Sequence, residues 1–177
     1  MTKKQLSLSK PCVFAFLVLA LLSSVFAVAQ EKKPLASPRD SVSGKIGKAT
    51  VTINYGSPSV KGRQIWGALV PMDSVWRAGA NEATTFSTDQ DVTIEGQALP
   101  AGKYALFAIP SANQWTIIFN KVAKQWGAYK YDASQDALRI TVKPRKSATM
   151  HERLKYVINK KGFALQWENL EVPVSVK

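Results

Sequence analysis

The segment ATVTINY (49–55) decides the fold, because its apolar residues Val51, Ile53 and Tyr55 alternate with polar ones. Successive side chains of a strand point to opposite faces, so this alternation predicts a strand with one buried face. Similar short runs, rich in β-branched and aromatic residues, follow at 91–95, 104–109, 115–119, 138–142, 155–158, 163–167 and 172–176. About eight or nine strands at this spacing predict an all-β, single-domain antiparallel β-sandwich or barrel-like fold.

The connections between these runs have the composition of turns. The loop 159–162 ends in glycine and the loop 109–114 contains proline, so we predict that each joins the two strands of a hairpin. No segment after residue 29 has a long apolar period of 3.6 residues. The best helix candidates are the short stretches 65–69 and 148–154.

The N-terminus has the features of a secretory signal peptide. Lysines precede an apolar run at 13–28, and Ala27-Val28-Ala29 supplies the small residues of a cleavage site. We therefore predict a signal peptide at 1–29 and an exported protein, either periplasmic or extracellular. The charged pair Lys32 and Lys33 leaves open an uncleaved membrane anchor. After cleavage, no membrane span is expected.

The remaining chain is predicted to contain a linker and one domain. Residues 30–40 are polar and include two prolines, which is typical of a linker, and the β domain is predicted at 41–177. Cys12, the single cysteine, lies in the predicted signal peptide. The exported chain would therefore have neither a disulfide nor a cysteine nucleophile.

The composition excludes several kinds of site. The chain has 177 residues with one His and one Cys, too few for a structural zinc site made of such ligands. Its formal net charge is +12, but the basic residues are spread along the chain without a long run. We therefore expect a solvated cationic surface, with no nucleic-acid partner, metal or cofactor. The oligomeric state is left open.

The segment YGSPSVKGRQIWGALVPMDSVWRAGANEAT (55–84) differs from the rest of the chain. It lacks alternation, and a long loop without regular structure usually lines a site or is disordered. As a site it offers tryptophan rings as an apolar wall, with cationic, amide and carboxylate groups as polar anchors. The candidate ligand-binding residues are Arg63, Trp66, Trp76, Arg77, Asn81 and Glu82.

These candidates also have a structural explanation. The two tryptophans would plug one end of the core, Arg77 would pair with Glu82 as a partly buried clasp, and Asn81 would occupy a left-handed turn. In that interpretation the segment is a crossover connection that caps the sandwich. The sequence leaves both interpretations open.

Catalysis is limited by the residues available. His151 is the candidate base for a Ser-His-Asp triad, but its polar neighbours favour a surface histidine. Glu82 could serve a glycosidase as general acid or base if Asp73, Asp132 or Asp136 lay at the right distance. The chain offers no clear pair of nucleophile and base, so the enzyme question stays open and leans toward no activity.

A second aromatic cluster, QWGAYKYD (125–132), offers either a stacking surface or an amphipathic edge strand. Aromatic rings beside amides and arginine are typical of sugar or peptide binding without catalysis. Our leading hypothesis is therefore a binding module for a small polar or anionic ligand or an envelope glycan. The alternatives are a glycosidase-like hydrolase that uses Glu82 and a structural envelope protein without a ligand.

Several long pieces of the sequence occur in a characteristic order. They are SPRDSVSGKIG (37–47), VTINYGSPSVKGRQIWGALVP (51–71), VWRAGANEATTF (75–86), DVTIEGQALPAGKYALFAIP (91–110), WTIIFNK (115–121), QWGAYKYD (125–132) and LRITVKP (138–144). In this order the chain resembles the secreted bacterial family designated domain of unknown function 2911, closely over 37–144 and more loosely over 155–176. The resemblance implies an exported, single-domain β protein common in Bacteroidetes-type bacteria, and it brings no activity to transfer.

Overall fold

A computed structural model describes residues 36–177, whose regular structure is almost entirely β-strand, which confirms the all-β class. The predicted signal peptide at 1–29 lies outside the described residues, as does most of the predicted linker at 30–40. The described residues belong to one compact unit. Within them, no helix combines the length and hydrophobicity needed to span a membrane.

Ten strands and one short 3₁₀ turn are formed within residues 36–177. The strands are β1 (Arg39–Ile46), β2 (Ala49–Gly56), β3 (Thr84–Thr88), β4 (Val92–Ile94), β5 (Gln97–Leu99), β6 (Gly102–Ile109), β7 (Trp115–Asn120), β8 (Asp136–Val142), β9 (Arg145–Asn159) and β10 (Gly162–Ser175). The 3₁₀ turn at Ala133–Gln135 precedes β8 and is capped by Asp132, whose carboxylate accepts from the Ser134 amide.

The main sheet has six strands in the order β1-β2-β3-β6-β7-β8, and every neighbouring pair is antiparallel. Strands β9 and β10 form a long hairpin, and β4 and β5 form a short one. The inner face of the main sheet packs against the long hairpin. There Phe86 of β3 lies 5.1 Å from Phe119 of β7 and 5.6 Å from Phe163 of β10, measured between ring centroids. The fold is therefore sandwich-like, with one core between sheet and hairpin.

The outer face of the main sheet is covered over only part of its area. A small buried cluster, Ala83, Ala105, Phe107 and Ile118, lies under the segment that joins β7 to β8. Towards β1 and β2 the same face carries polar side chains instead, among them Thr52, Ser87 and Lys103. The candidate site lies on this face, where the part covered by the β7–β8 segment borders the polar part.

The strand predictions hold where one face of a strand is buried. The hairpins at 109–114 and 159–162 are confirmed. The helix candidate 148–154 is wrong, because those residues continue β9, and 65–69 forms a turn closed by a bridge between Trp66 and Val70. Residues 145–151 are largely exposed, so this end of the hairpin lacks the apolar alternation from which a strand is predicted.

Candidate functional site

The segment 57–83 is an ordered connection between β2 and β3. It contains no strand, but isolated bridges attach it to the rest of the fold, at Ser59 to Arg153 of β9 and at Trp76 to Ala108 of β6. The Ser57 hydroxyl donates to the Leu154 carbonyl at 2.7 Å. The segment therefore passes across the end of the core and is held at several points.

Trp66 and Trp76 join Trp115 of β7 and Trp167 of β10 in one cluster, which we call the tryptophan cluster. The ring centroids are 5.0 to 6.4 Å apart, mostly in edge-to-face contacts. Trp115 and Trp167 are buried and the other two are half-buried. The indole N–H of Trp76 donates to the Gly79 carbonyl, whereas those of Trp66 and Trp167 have no partner among the described residues. Edge-to-face packing offers such an N–H the face of a neighbouring ring.

Arg63 lies in the same segment but closes a turn. Its Nε donates to the Val60 carbonyl at 3.0 Å, and its Nη2 donates to the Ser59 carbonyl. The turn it closes includes Lys61, which has a left-handed backbone with φ of 48°. The geometry therefore engages two of the donors of this guanidinium within the turn.

Arg77 and Asn81 meet the loop after β7. Arg77 Nε is buried without a partner among the described residues, and its Nη1 lies 2.9 Å from where a Cβ on Gly127 would be. Asn81 has φ of 64°, the left-handed turn predicted for it. Its side-chain amide donates to the Ser37 carbonyl at 3.1 Å, and its own carbonyl accepts from the Gly127 amide. Both residues thus support the loop around Gly127.

The carboxylate of Glu82 faces strand β1. Its Oε2 pairs with Arg39 of β1 at 2.8 Å, and both side chains are about half exposed, at 45% and 51%. The clasp between Arg77 and Glu82 is therefore not formed, because Arg77 faces Gly127 while Glu82 faces β1. A backbone bridge also joins Glu82 to Trp126.

Glu82 lines a groove of about 1030 Å³ on the outer face of the main sheet, which we call the aromatic groove. Two aromatic rings there are exposed to solvent, Trp126 at 61% and Tyr129 at 81%. The residues that line the groove are Arg39, Asn54, Glu82, Ala83, Thr85, Lys103, Val122, Ala123, Lys124, Gln125, Trp126, Tyr129 and Lys130. Of the six residues predicted from the sequence, Glu82 alone is among them.

The floor of the groove comes from the register of the main sheet. Asn54 of β2 is paired with Thr85 of β3, and Thr85 is paired with Ala105 of β6, two residues from Lys103. Side chains two residues apart on a strand share a face, so the amide, hydroxyl and ammonium groups lie on one polar surface. These residues are remote from one another along the chain, which is why the sequence did not group them.

The wall of the groove is the segment 121–131, and it is anchored by a buried asparagine. Asn120 is fully buried, and its side-chain amide donates to the Asp132 carbonyl and to Asp136 Oδ1, both at 2.9 Å. Its Oδ1 accepts from the Val122 amide at 3.0 Å. Because both ends of one buried side chain are used, the loop is tied to the sheet where it leaves β7 and where it returns to β8.

A tyrosine fixes the far end of the same wall. The Tyr131 hydroxyl donates to Asp136 Oδ2 at 2.6 Å, and its ring lies 5.2 Å from that of Phe107. Burial, reinforced by the hydrogen bond to Asp136, raises the pKa of Tyr131 to about 12. Of the aromatic residues in QWGAYKYD, Tyr131 therefore belongs to the wall, whereas Trp126 and Tyr129 lie at the surface.

The charges around the groove are unbalanced. Lys103, Lys124 and Lys130 form no ion pair with any residue in 36–177, and Arg39 is the fourth cation. Glu82 is the single carboxylate among the lining residues. The groove therefore presents a positive surface beside two exposed rings.

The other carboxylates proposed as partners of Glu82 have different roles. Asp132 caps the 3₁₀ turn, and Asp136 accepts from Asn120 and Tyr131. Asp73 is absent from the lining of the groove. Among residues 36–177, no group of three or more His, Cys, Asp and Glu side chains could hold a metal ion.

His151 lies in β9, away from the groove, and bonds to a serine. Its Nε2 is 2.9 Å from Ser147 Oγ, and burial together with Lys155 lowers the pKa of the imidazole. The nearby carboxylate of Glu171 is engaged by Arg145 and Gln166. A catalytic triad also needs a carboxylate that holds the histidine, and Glu171 does not bond to it.

Comparison with known proteins identifies the family. The model of a family described as protein of unknown function, DUF2911, matches residues 37–176. Searches of curated proteins and of solved structures found no significant match. The matched range includes every strand, the tryptophan cluster and the aromatic groove. The chain therefore belongs to the DUF2911 family.

Proposed function

We infer that the protein is a non-catalytic binding module for a small polar or anionic ligand or a glycan, and that the ligand occupies the aromatic groove. One observation carries this proposal: two exposed rings, Trp126 and Tyr129, stand beside three lysines that have no carboxylate partner among the described residues. Large aromatic side chains usually bury most of their surface, so rings this exposed are typical of a binding surface.

The size and setting of the groove support binding. Ligand sites usually measure roughly 300 to 1000 Å³ and combine an apolar wall with a few placed polar groups. At about 1030 Å³ the aromatic groove is slightly larger than the upper bound of that range. Its wall is held by Asn120 and Tyr131, so the rings are presented on an anchored loop.

Binding is favoured over hydrolysis by the distribution of carboxylates. A glycosidase of the common type needs two carboxyl groups about 5 to 10 Å apart across the scissile bond. Glu82 is the single carboxylate in the lining, and it already pairs with Arg39. We therefore assign Glu82 a role in orienting the ligand.

Export is part of the proposal. The predicted signal peptide at 1–29 would deliver the domain to the periplasm or the cell exterior, where glycans and small anions of the envelope are available. N-terminal sequencing of the protein recovered from a secreting host tests this, and Gln30 is the expected first residue. An intact Met1 on a membrane-bound protein would support the anchor instead.

Calorimetric titration tests the site itself. The purified protein is titrated with small organic anions, neutral oligosaccharides and acidic oligosaccharides, and we expect Trp126→Ala to weaken any binding by about tenfold or more. Met150→Ala is the matched control, because Met150 is 51% exposed on β9 and does not line the groove. Equal binding by parent and Trp126→Ala would place the ligand elsewhere. No binding by any compound would favour a structural protein.

A further inference from the structure

We propose that the ligand of the aromatic groove is an acidic oligosaccharide, a chain of sugar units that carry carboxylate groups. This inference rests on the proposed function and narrows it to one chemical class. Three features of the groove, its rings, its lysines and its one carboxylate, each require something different of the ligand. An acidic sugar chain meets all three.

The rings require a flat apolar surface. Trp126 and Tyr129 are exposed, and Val122 and Ala123 extend the apolar wall beside them. A pyranose ring has a face of C–H groups that packs on an aromatic ring while its hydroxyls point outward. A small inorganic anion has no such face, so it would leave both rings in water.

The lysines require negative charge. Lys103 stands on the floor, while Lys124 and Lys130 belong to the wall, so cations border the groove on two sides. None has an ion-pair partner among the described residues. Charge-assisted bonds to carboxylates are stronger than bonds between neutral groups, so a neutral sugar would leave this part of the surface unused.

Glu82 requires a hydrogen-bond donor. Its Oε2 is held by Arg39, whereas its Oε1 has no partner among the described residues and the side chain is 45% exposed. An ionised carboxylate can only accept hydrogen bonds. A sugar hydroxyl donates to it, but phosphate or sulfate oxygens would place negative charge against it. Asn54 and Thr85 on the floor add groups that both donate and accept.

A single-stranded nucleic acid would satisfy the first two requirements. Its bases stack on exposed rings, and its phosphates bind lysines. However, a DNA backbone has no free hydroxyl group between its phosphates, and Glu82 stands among the cations that would have to bind those phosphates. The mixture of acceptor and cations therefore favours a ligand that carries hydroxyl donors between its acid groups.

The test compares ligands of equal length. The purified protein is titrated by calorimetry with hexagalacturonate, hexamannuronate, neutral maltohexaose, neutral cellohexaose, a thymidine hexanucleotide and sodium citrate. We expect at least one acidic hexasaccharide to bind about tenfold or more tightly than both neutral ones, the difference expected from one or two charge-assisted bonds. This preference should fall with added salt and with Lys103→Gln, while Trp126→Ala should weaken every sugar.

Each other result overturns the inference in a recognisable way. Equal binding of neutral and acidic sugars, lost in Trp126→Ala, refutes the acidic class and leaves the proposed function intact. Tighter binding of the hexanucleotide assigns the groove to nucleic acid, and Glu82→Gln should then tighten binding because a repulsive charge is removed. Binding of citrate alone refutes the sugar chain but keeps an anion site. Failure of all six compounds to bind refutes the proposed function as well.

Discussion

Two aromatic regions of the protein differ in what surrounds their rings. In the tryptophan cluster, Trp115 and Trp167 are buried, and the four rings mostly contact one another. In the aromatic groove, Trp126 and Tyr129 face solvent beside lysines that pair with no carboxylate in the described range 36–177. The cluster gave the stronger sequence signal, since two of its tryptophans lie in the dense segment 55–84. The dense segment thus contributes its tryptophans to packing, whereas we base the proposed site on exposed rings beside lysines that have no ion-pair partner among residues 36–177.

The largest effect should come from removing a ring of the cluster. Trp115 is 2% exposed, so Trp115→Ala should lower the free energy of unfolding by about 3 to 5 kcal/mol through lost contacts and a cavity. Trp126→Ala removes the same side chain from the surface and should change stability by less than about 0.5 kcal/mol. Urea unfolding followed by circular dichroism measures both. Similar losses in the two variants would contradict the distinction between the regions.

Asn120→Ala should produce an intermediate loss that is local to the groove. The substitution leaves the Val122 amide and Asp136 without their buried partner, which costs about 1 to 3 kcal/mol. Hydrogen exchange should increase in 121–131 and remain unchanged in 57–76, which has no hydrogen bond to that loop. Ligand binding should weaken because the wall carrying Trp126 is no longer fixed. Uniform acceleration of exchange across the domain would show that Asn120 supports the core instead.

Alkaline pH should destabilise the protein through Tyr131, which lies in the wall of the aromatic groove. The pKa of Tyr131 is raised from 10.0 to about 12, mainly by burial. A raised pKa means that the folded state holds the tyrosine proton more tightly than the unfolded state does. The stability that protonated Tyr131 contributes is therefore present below pH 10 and is lost as pH rises towards 12. Tyr131→Phe should therefore lose stability less steeply in urea unfolding between neutral pH and about pH 11. Identical slopes in parent and variant would mean that Tyr131 is solvated.

Tyr55 lies in the core and provides a comparison with Tyr131 of the groove wall. Burial raises its pKa to about 12 as well, and its hydroxyl donates to Asp40. Tyr55→Phe should also flatten the alkaline loss of stability. It should leave ligand binding at neutral pH unchanged, because Tyr55 does not line the groove, whereas Tyr131→Phe should weaken binding by loosening the wall.

The smallest effect on stability should follow Arg39→Ala. The ion pair between Arg39 and Glu82 joins two side chains that are about half exposed, and such pairs contribute less than about 1 kcal/mol. Urea unfolding should detect little change. Binding of an acidic ligand should still weaken modestly, since one of the four cations of the groove is lost. A large loss of stability would mean that the pair is structural.

Much of the fold was predictable from the sequence. Alternation in 49–55 and 138–142 gave β2 and β8, because each has one buried face. Strand β1 was missed because it is an edge strand whose sequence, RDSVSGKI, is largely polar and exposed. The start of β9 was missed for the same reason. Strand β3 was also missed although it is buried, because four of its five residues are threonine or serine. Pattern reasoning finds a strand through an apolar buried face, which these strands lack.

The site was predictable only in part. Glu82 and the aromatic cluster at 125–132 were both noted, but nothing in the sequence places them beside each other. The pairing of β2, β3 and β6 brings Asn54, Thr85 and Lys103 onto one floor, and the anchored loop adds the wall. These contacts depend on sheet register, which a single sequence does not specify. Arg63, Trp66 and Trp76 lie outside the groove, and a ligand contact for them stays a prediction.

Ligand binding in the aromatic groove is tested most directly with the five tryptophans as reporters. Their indole N–H signals are resolved in a ¹H–¹⁵N spectrum, assigned with single Trp→Phe variants, and followed while hexagalacturonate and, in a second titration, hexamannuronate are added. Four signals belong to the tryptophan cluster and one, that of Trp126, to the aromatic groove. We expect the Trp126 signal to shift with saturation by at least one of the two sugars, while the other four signals stay in place. Movement of the cluster signals with a stationary Trp126, or no movement of any signal, would contradict this expectation.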